Sequence, residues 1–188
     1  MLLGVPFVDL KRVHVLYQDD NGECVGSYMR MARWAHGRGL KLTEQSFGTA
    51  EGLRRGVLDV ERRDDLASTL LHVEVHGSPQ HDGEGINIEG ANRPLIDVLS
   101  PRPLQLWALL AGGCWLGSDE GVKALRQTMA AEGVPVIASS GVTYAGTLRA
   151  YVLPAIARYI DARGELALSD LIHPDQSAND RQEGWRVR

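Results

Sequence analysis

The segment that most constrains this fold is LQLWALLA at residues 104–111, a run with a single polar side chain that ends at Gly112-Gly113. A half-exposed strand alternates apolar with polar, and a surface helix repeats near every 3.6 residues. This run does neither, and at strand length it reads as a parallel strand buried on both faces. Such a strand needs helices above and below it, and the rest of the chain supplies them.

Residues 13–17 (VHVLY) are β-branched and aromatic and stop at the polar cluster 18–22, a strand followed by a loop. From 24 to 36, Val25, Tyr28, Met29, Ala32 and Ala35 form one helical stripe, closed by the glycines of Gly37-Arg38-Gly39. A second strand is expected at 40–47. Thr49 then precedes a helix with Leu53, Val57 and Leu58 on one side. The third strand, 69–75 (TLLHVEV), runs into His76-Gly77-Ser78-Pro79, which cannot continue it. A short extended excursion follows at 85–90 and a short helix at 94–99. After the central run come a helix at 119–132 with an acidic first turn, a fifth strand at 134–139 and a helix at 147–162. Pro154 must kink that last helix or mark its true start. Beyond Gly164 the chain turns polar, and 171–188 is expected to be a polar, loose C-terminal tail.

Strands separated by helices predict an α/β domain over 1–170: a three-layer αβα sandwich with a mainly parallel central sheet and right-handed crossovers. In such sheets function belongs at the carboxyl ends of the strands. With 44% hydrophobic and 23% charged residues among 188, the chain has the composition of a globular domain and not of a disordered one. Twenty Lys and Arg against 24 Asp and Glu show no basic excess, so no nucleic-acid partner is expected. No apolar run reaches membrane-spanning length and the first residues lack a signal-peptide pattern, so neither a membrane nor export is expected, and the cytoplasm is the default. In that compartment Cys24 and Cys114 read as free thiols.

The chemistry lies at two strand ends. His76 closes the third strand and Cys114 closes the central one, 38 residues later. If those strands are neighbours, thiol and imidazole arrive at the same edge of the sheet. A thiol hydrolase needs that arrangement: the sulfur attacks a carbonyl carbon and the imidazole supplies the proton that the departing amine requires. The helix starting near Asp119 directs its N-terminal end toward the Cys114 loop. Gly77 and Gly113 allow close backbone approach, and N–H groups beside them can hold an oxyanion.

These motifs resemble those of a known group. The string Leu70-Leu71-His72-Val73-Glu74-Val75-His76-Gly77 resembles the H-x-x-x-H-G strand end of the caspase-like cysteine peptidases, most closely the CHAT domains. The apolar strand ending in Gly113-Cys114-Trp115-Leu116-Gly117 resembles their Cys-x-x-Gly signature, and residues 133–139 (GVPVIAS) resemble a third run of that group. The likeness spans about residues 10–163, with the motifs in the same order. It implies Cys114 as nucleophile, His76 as general acid and base, and the N–H groups of Gly77 and Cys114 as the oxyanion hole. It implies a protein or peptide substrate, no cofactor, control by an activating partner, and a regulated role in bacterial stress or antiphage defence. In that fold the loops after the first strand, the cysteine and the fifth strand line the specificity pocket. Asp19, Asp20 and Asp119 would then favour a basic substrate residue, and Arg149 an acidic one. Three positions depart from the group's pattern: Glu74 where a small or apolar residue is usual, Gly112-Gly113 in place of a polar-Ala pair, and Trp115 directly after the nucleophile.

Other readings use the same residues. His72 and Glu74 are expected to support the site from within the core. Alternatively His72, Glu74 and His76, with His81, would ligate zinc, since H-x-E-x-H presents three donors on one strand face, although their ~6.6 Å spacing suits one tetrahedral ion poorly. The Gly113-Cys114 turn and His173-Pro174-Asp175 also bear a faint likeness to glutamine amidotransferases, but Leu116 stands where those enzymes have glycine. A caspase-like fold can also serve as an inactive scaffold or partner subunit.

Overall fold

The computed structural model describes residues 7–19, 22–78, 85–141, 145–172 and 184–188. The first half of the chain alternates strand and helix: β1 (Arg12–Gln18), α1 (Glu23–Gly37), β2 (Lys41–Phe47), α2 (Ala50–Glu61) and β3 (Thr69–Glu74). A small antiparallel sheet follows, made of β4 (Gly77–Ser78), β5 (Gly85–Ile88) and β6 (Ala91–Pro94), and leads into the short α3 (Leu95–Val98). Then come β7 (Ala108–Ala111), α4 (Asp119–Thr128), β8 (Val136–Ser139), α5 (Ala145–Thr147), α6 (Leu153–Asp161), α7 (Leu168–Leu171) and β9 (Trp185–Val187).

The main sheet has the order β2-β1-β3-β7-β8-β9 and is parallel except for β9. Each strand sends alternate side chains to opposite faces, and two separate cores result. Leu16, Leu71, Val73, Leu109 and Ala138 pack with α2 and α4. Val13, Val15, Leu70, Leu110 and Ile137 pack with α1 and α6. The architecture is therefore α/β, a mostly parallel six-stranded sheet flanked by helices on both faces. Local signals place several elements where expected. The Thr49 hydroxyl accepts from the Gly52 N–H and starts α2, and the Ser118 hydroxyl accepts from Gly121 N–H and starts α4. Among the described residues no helix is long and apolar enough to cross a membrane.

Three expectations are corrected. Only Ala108–Ala111 of the 104–111 run is strand. Leu104 instead makes an isolated bridge to Ala130, and the Trp107 indole N–H donates to the Val8 carbonyl at 2.8 Å. The helix expected at 147–162 is divided into a π turn, Leu148–Val152, followed by α6 with Pro154 in its first turn. Proline gives no N–H to the preceding turn and its ring crowds the carbonyl four residues back, and the widened turn falls where that conflict arises. Finally, the end of the expected tail is not loose. Trp185–Val187 pairs with β8 as the antiparallel edge strand, Trp185 is buried, and its indole N–H donates to the Thr147 hydroxyl at 3.1 Å. Residues 173–183 lie outside the described residues.

Two predictions follow from this packing. Trp185→Ala should destabilise the protein by about 3 kcal/mol in urea unfolding, as truncation of a buried aromatic does, and a loss below about 1 kcal/mol would restore the loose-tail reading. The second concerns His14 on β1, 2% exposed, whose Nδ1 lies 2.6 Å from the Thr43 hydroxyl while Nε2 has no hydrogen-bond partner. Burial, then the Arg63 and Arg12 charges, lower its pKa from 6.5 to about 4, against a weaker opposing pull from Asp59. The unfolded chain therefore takes up this proton first. Its contribution is complete above pH 6.5 and falls away between 6.5 and about 4, by on the order of 2–3 kcal/mol. His14→Gln should flatten urea-measured stability across that window, and an unchanged slope would contradict the assignment.

Candidate active site

β3 and β7 are adjacent and parallel, with Leu70 opposite Ala108 and Val73 opposite Ala111. Gly112 extends the ladder, its N–H donating to the Val73 carbonyl at 2.8 Å. His76 lies just past the end of β3 at Glu74 and Cys114 just past the end of β7 at Ala111, and the same offset continued beyond the last pair would set them level with each other. Both residues thus leave the sheet at the same carboxyl edge. His76 is exposed and Cys114 half-buried, whereas Cys24 is buried in α1.

Three glycines make this approach feasible. A Cβ at Gly77 would lie 1.8 Å from the Cys114 carbonyl oxygen and 2.7 Å from its nitrogen. One at Gly113 would lie 2.9 Å from the Val75 carbonyl oxygen, and one at Gly112 would lie 1.7 Å from Glu74 Oε2. No side chain fits at any of these positions without displacing its neighbour. The Gly77 N–H stays outside the β4–β5 ladder, because Gly77 and Ile86 form a pair in which the flanking His76 carbonyl accepts from Asn87 N–H at 2.7 Å.

Glu74 and Gly112, two of the departures from the group's pattern, are a single feature. The Glu74 carboxyl, 6% exposed, fills the room that a side chain at 112 would occupy, and Oε2 lies 2.9 Å from Nε2 of the fully buried His72. His72 and Glu74 thus lie against Gly112, two residues before Cys114. Among the described residues no group of three His, Cys, Asp or Glu is placed to hold one metal ion. His81 and His173 lie outside the described residues.

The third departure, Trp115, has φ +59°, a left-handed conformation uncommon for a bulky residue. Its N–H donates to the Gly141 carbonyl at 2.9 Å, and the Gly117 N–H to the Ser139 carbonyl at 2.8 Å. The turn after Cys114 is thereby tied to the end of β8.

Two of the three acids expected in a specificity pocket, Asp19 and Asp119, lie among the described residues. Asp119 is exposed in the first turn of α4 and its carboxylate pairs with Arg188 at 3.1 Å, so its charge is already met. Asp19 is exposed just after β1, and its backbone N–H donates to the Phe47 carbonyl at 2.9 Å. Asp20 lies outside the described residues. Arg149 lines a groove against α1 whose lining includes neither Cys114 nor His76.

Gln18 was not among the expected site residues, yet it braces the candidate site. Its Oε1 accepts from the His76 N–H at 3.1 Å and its Nε2 donates to the Asn87 carbonyl at 3.2 Å, fixing the backbone that carries the imidazole. The available signal was its place as the last residue of β1, the strand that neighbours β3.

Gly112→Ala should cost about 3 kcal/mol in urea unfolding because the added methyl meets a buried carboxylate. Combined with Glu74→Ala, the pair should fall short of the summed costs by at least about 1 kcal/mol, and additive losses would show that the two sites are not coupled. No protein-family model and no curated protein matches this chain, which leaves the geometry of this sheet edge as the ground on which a function can be argued.

Proposed function

We propose that this chain is a cysteine endopeptidase of the caspase-like type, working through a Cys114–His76 dyad on a protein or peptide substrate. The observation that carries the reading is the shared level of the two residues on adjacent parallel strands, where Gly77 packs directly on the Cys114 backbone. The resemblance of the strand-end motifs supports the same roles.

In this reading His76 takes the Cys114 thiol proton as Sγ attacks the scissile carbonyl carbon. The oxyanion of the tetrahedral intermediate accepts from the N–H groups of Gly77 and Cys114, and His76 protonates the departing amine. The acyl group remains on sulfur as a thioester. His76 then takes a proton from water as the water attacks that thioester, which releases the carboxylate product and restores the thiol. Gln18 holds the His76 backbone in place, and the buried His72–Glu74 pair supports the turn from below. Neither a metal nor an organic cofactor has a step to perform. A regulated effector role in bacterial stress or antiphage defence is what the resemblance adds.

The test is hydrolysis of a fluorogenic peptide panel that varies the residue before the scissile bond. The wild-type chain should cleave at least one member, insensitive to a zinc chelator. Cys114→Ala should reduce cleavage to background, and His76→Ala should lower kcat/KM by about 100- to 10,000-fold. Activity retained in Cys114→Ala would refute the dyad, loss on chelation would favour the zinc reading, and no turnover of any peptide would favour an inactive scaffold.

A further inference from the structure

A groove of about 790 Å³ runs between α1 on one side and the π turn and α6 on the other. α1 contributes residues at intervals of three and four from Gly26 to Arg38, about 18 Å of helix rise, and the opposite wall runs from Arg149 to Ala157. The groove therefore has the length of a three-turn helix.

Its chemistry is unlike that of the chain as a whole. The chain carries a net charge of -4, yet among the described residues the lining contains four arginines and no acid. Arg38 is met at one end by Asp161, and Arg30 donates to the Gly26 carbonyl at 2.9 Å. Arg33 and Arg149 are exposed, and among the described residues neither is held in an ion pair. Between the arginines the surface is apolar: Met29 is 45% exposed, with Trp34, Leu153 and Pro154 beside it. Arg30 and Arg33 of α1 and Arg38 at its C-terminal cap are strung over about 12 Å of helix rise instead of converging on one point, which suits an extended anion better than a compact one.

We propose that this groove docks an acidic amphipathic helix of a partner protein. Apolar side chains every third or fourth residue would enter the Met29–Trp34–Leu153 floor while flanking carboxylates meet Arg33 and Arg149. Docking of this kind does not depend on Cys114.

The test is fluorescence anisotropy of the full chain with a labelled peptide of about 14 residues, rich in Glu, with Leu at helical three- and four-residue spacing. A control of identical composition has its leucines scrambled, and sodium tripolyphosphate serves as a compact anion. The patterned peptide should bind at least roughly tenfold more tightly than the scrambled one. The double variant Arg33→Glu/Arg149→Glu, with an unchanged melting curve, should weaken it by a similar factor. Absence of binding, equal binding of the scrambled peptide, unchanged affinity of the double variant, or tripolyphosphate binding without peptide binding would each overturn the proposal. Peptide binding by a chain that hydrolyses no substrate would retain the docking surface and discard the peptidase reading alone.

Discussion

The rest of the site depends on one backbone contact, the seating of Gly77 on the backbone of Cys114. It exists because β3 and β7 pair in parallel and both strands run on past the sheet in the same register. A Cβ at 77 would meet the Cys114 backbone, one at 113 the Val75 carbonyl and one at 112 the Glu74 carboxyl, so glycines at 77, 112 and 113 are a steric requirement before they are anything else. The two residues proposed as the dyad are then carried to the same edge of the sheet by main-chain geometry.

Around this contact the surrounding elements act as restraints. Gln18 reaches across from β1 to hold His76, the small β4–β6 sheet accepts the chain as it leaves the edge, and β8 ties down the turn that follows Cys114 through Trp115 and Gly117. Beneath it, the Glu74 carboxylate takes the place of a side chain at 112 and rests on His72. A buried polar group is costly to leave without its partner, which makes this pair a firm floor while both members are present and a weak point once either is removed.

Much of this was legible in the sequence, for reasons that can be named. Alternating strands and helices, the Thr49 and Ser118 caps, and an apolar run closed by glycines fixed the sheet and its functional edge, because each is a local signal. The placement of His76 and Cys114 at one edge needed only the adjacency of their strands. What escaped was non-local. The sequence does not show that Trp185 returns to close the sheet, since three residues after a polar stretch carry no periodicity of their own. Nor does it show that Glu74 and Gly112, 38 positions apart, exchange volume. Nor does it show that Asp119 pairs with Arg188, the last residue of the sequence. The four arginines of the α1 groove were invisible for the same reason, being split between a helix near the start of the chain and a π turn near its end.

The two cysteines allow the most direct measurement of the central claim, because each serves as the control for the other. Treatment of the native chain with a peptidyl acyloxymethyl ketone, followed by intact mass and peptide mapping, should place one adduct on Cys114 and none on the buried Cys24. The rate should depend on the peptide portion of the reagent and fall in His76→Ala. Modification of Cys114 no faster than that of a free thiol, indifferent to the peptide portion and to His76, would contradict the account.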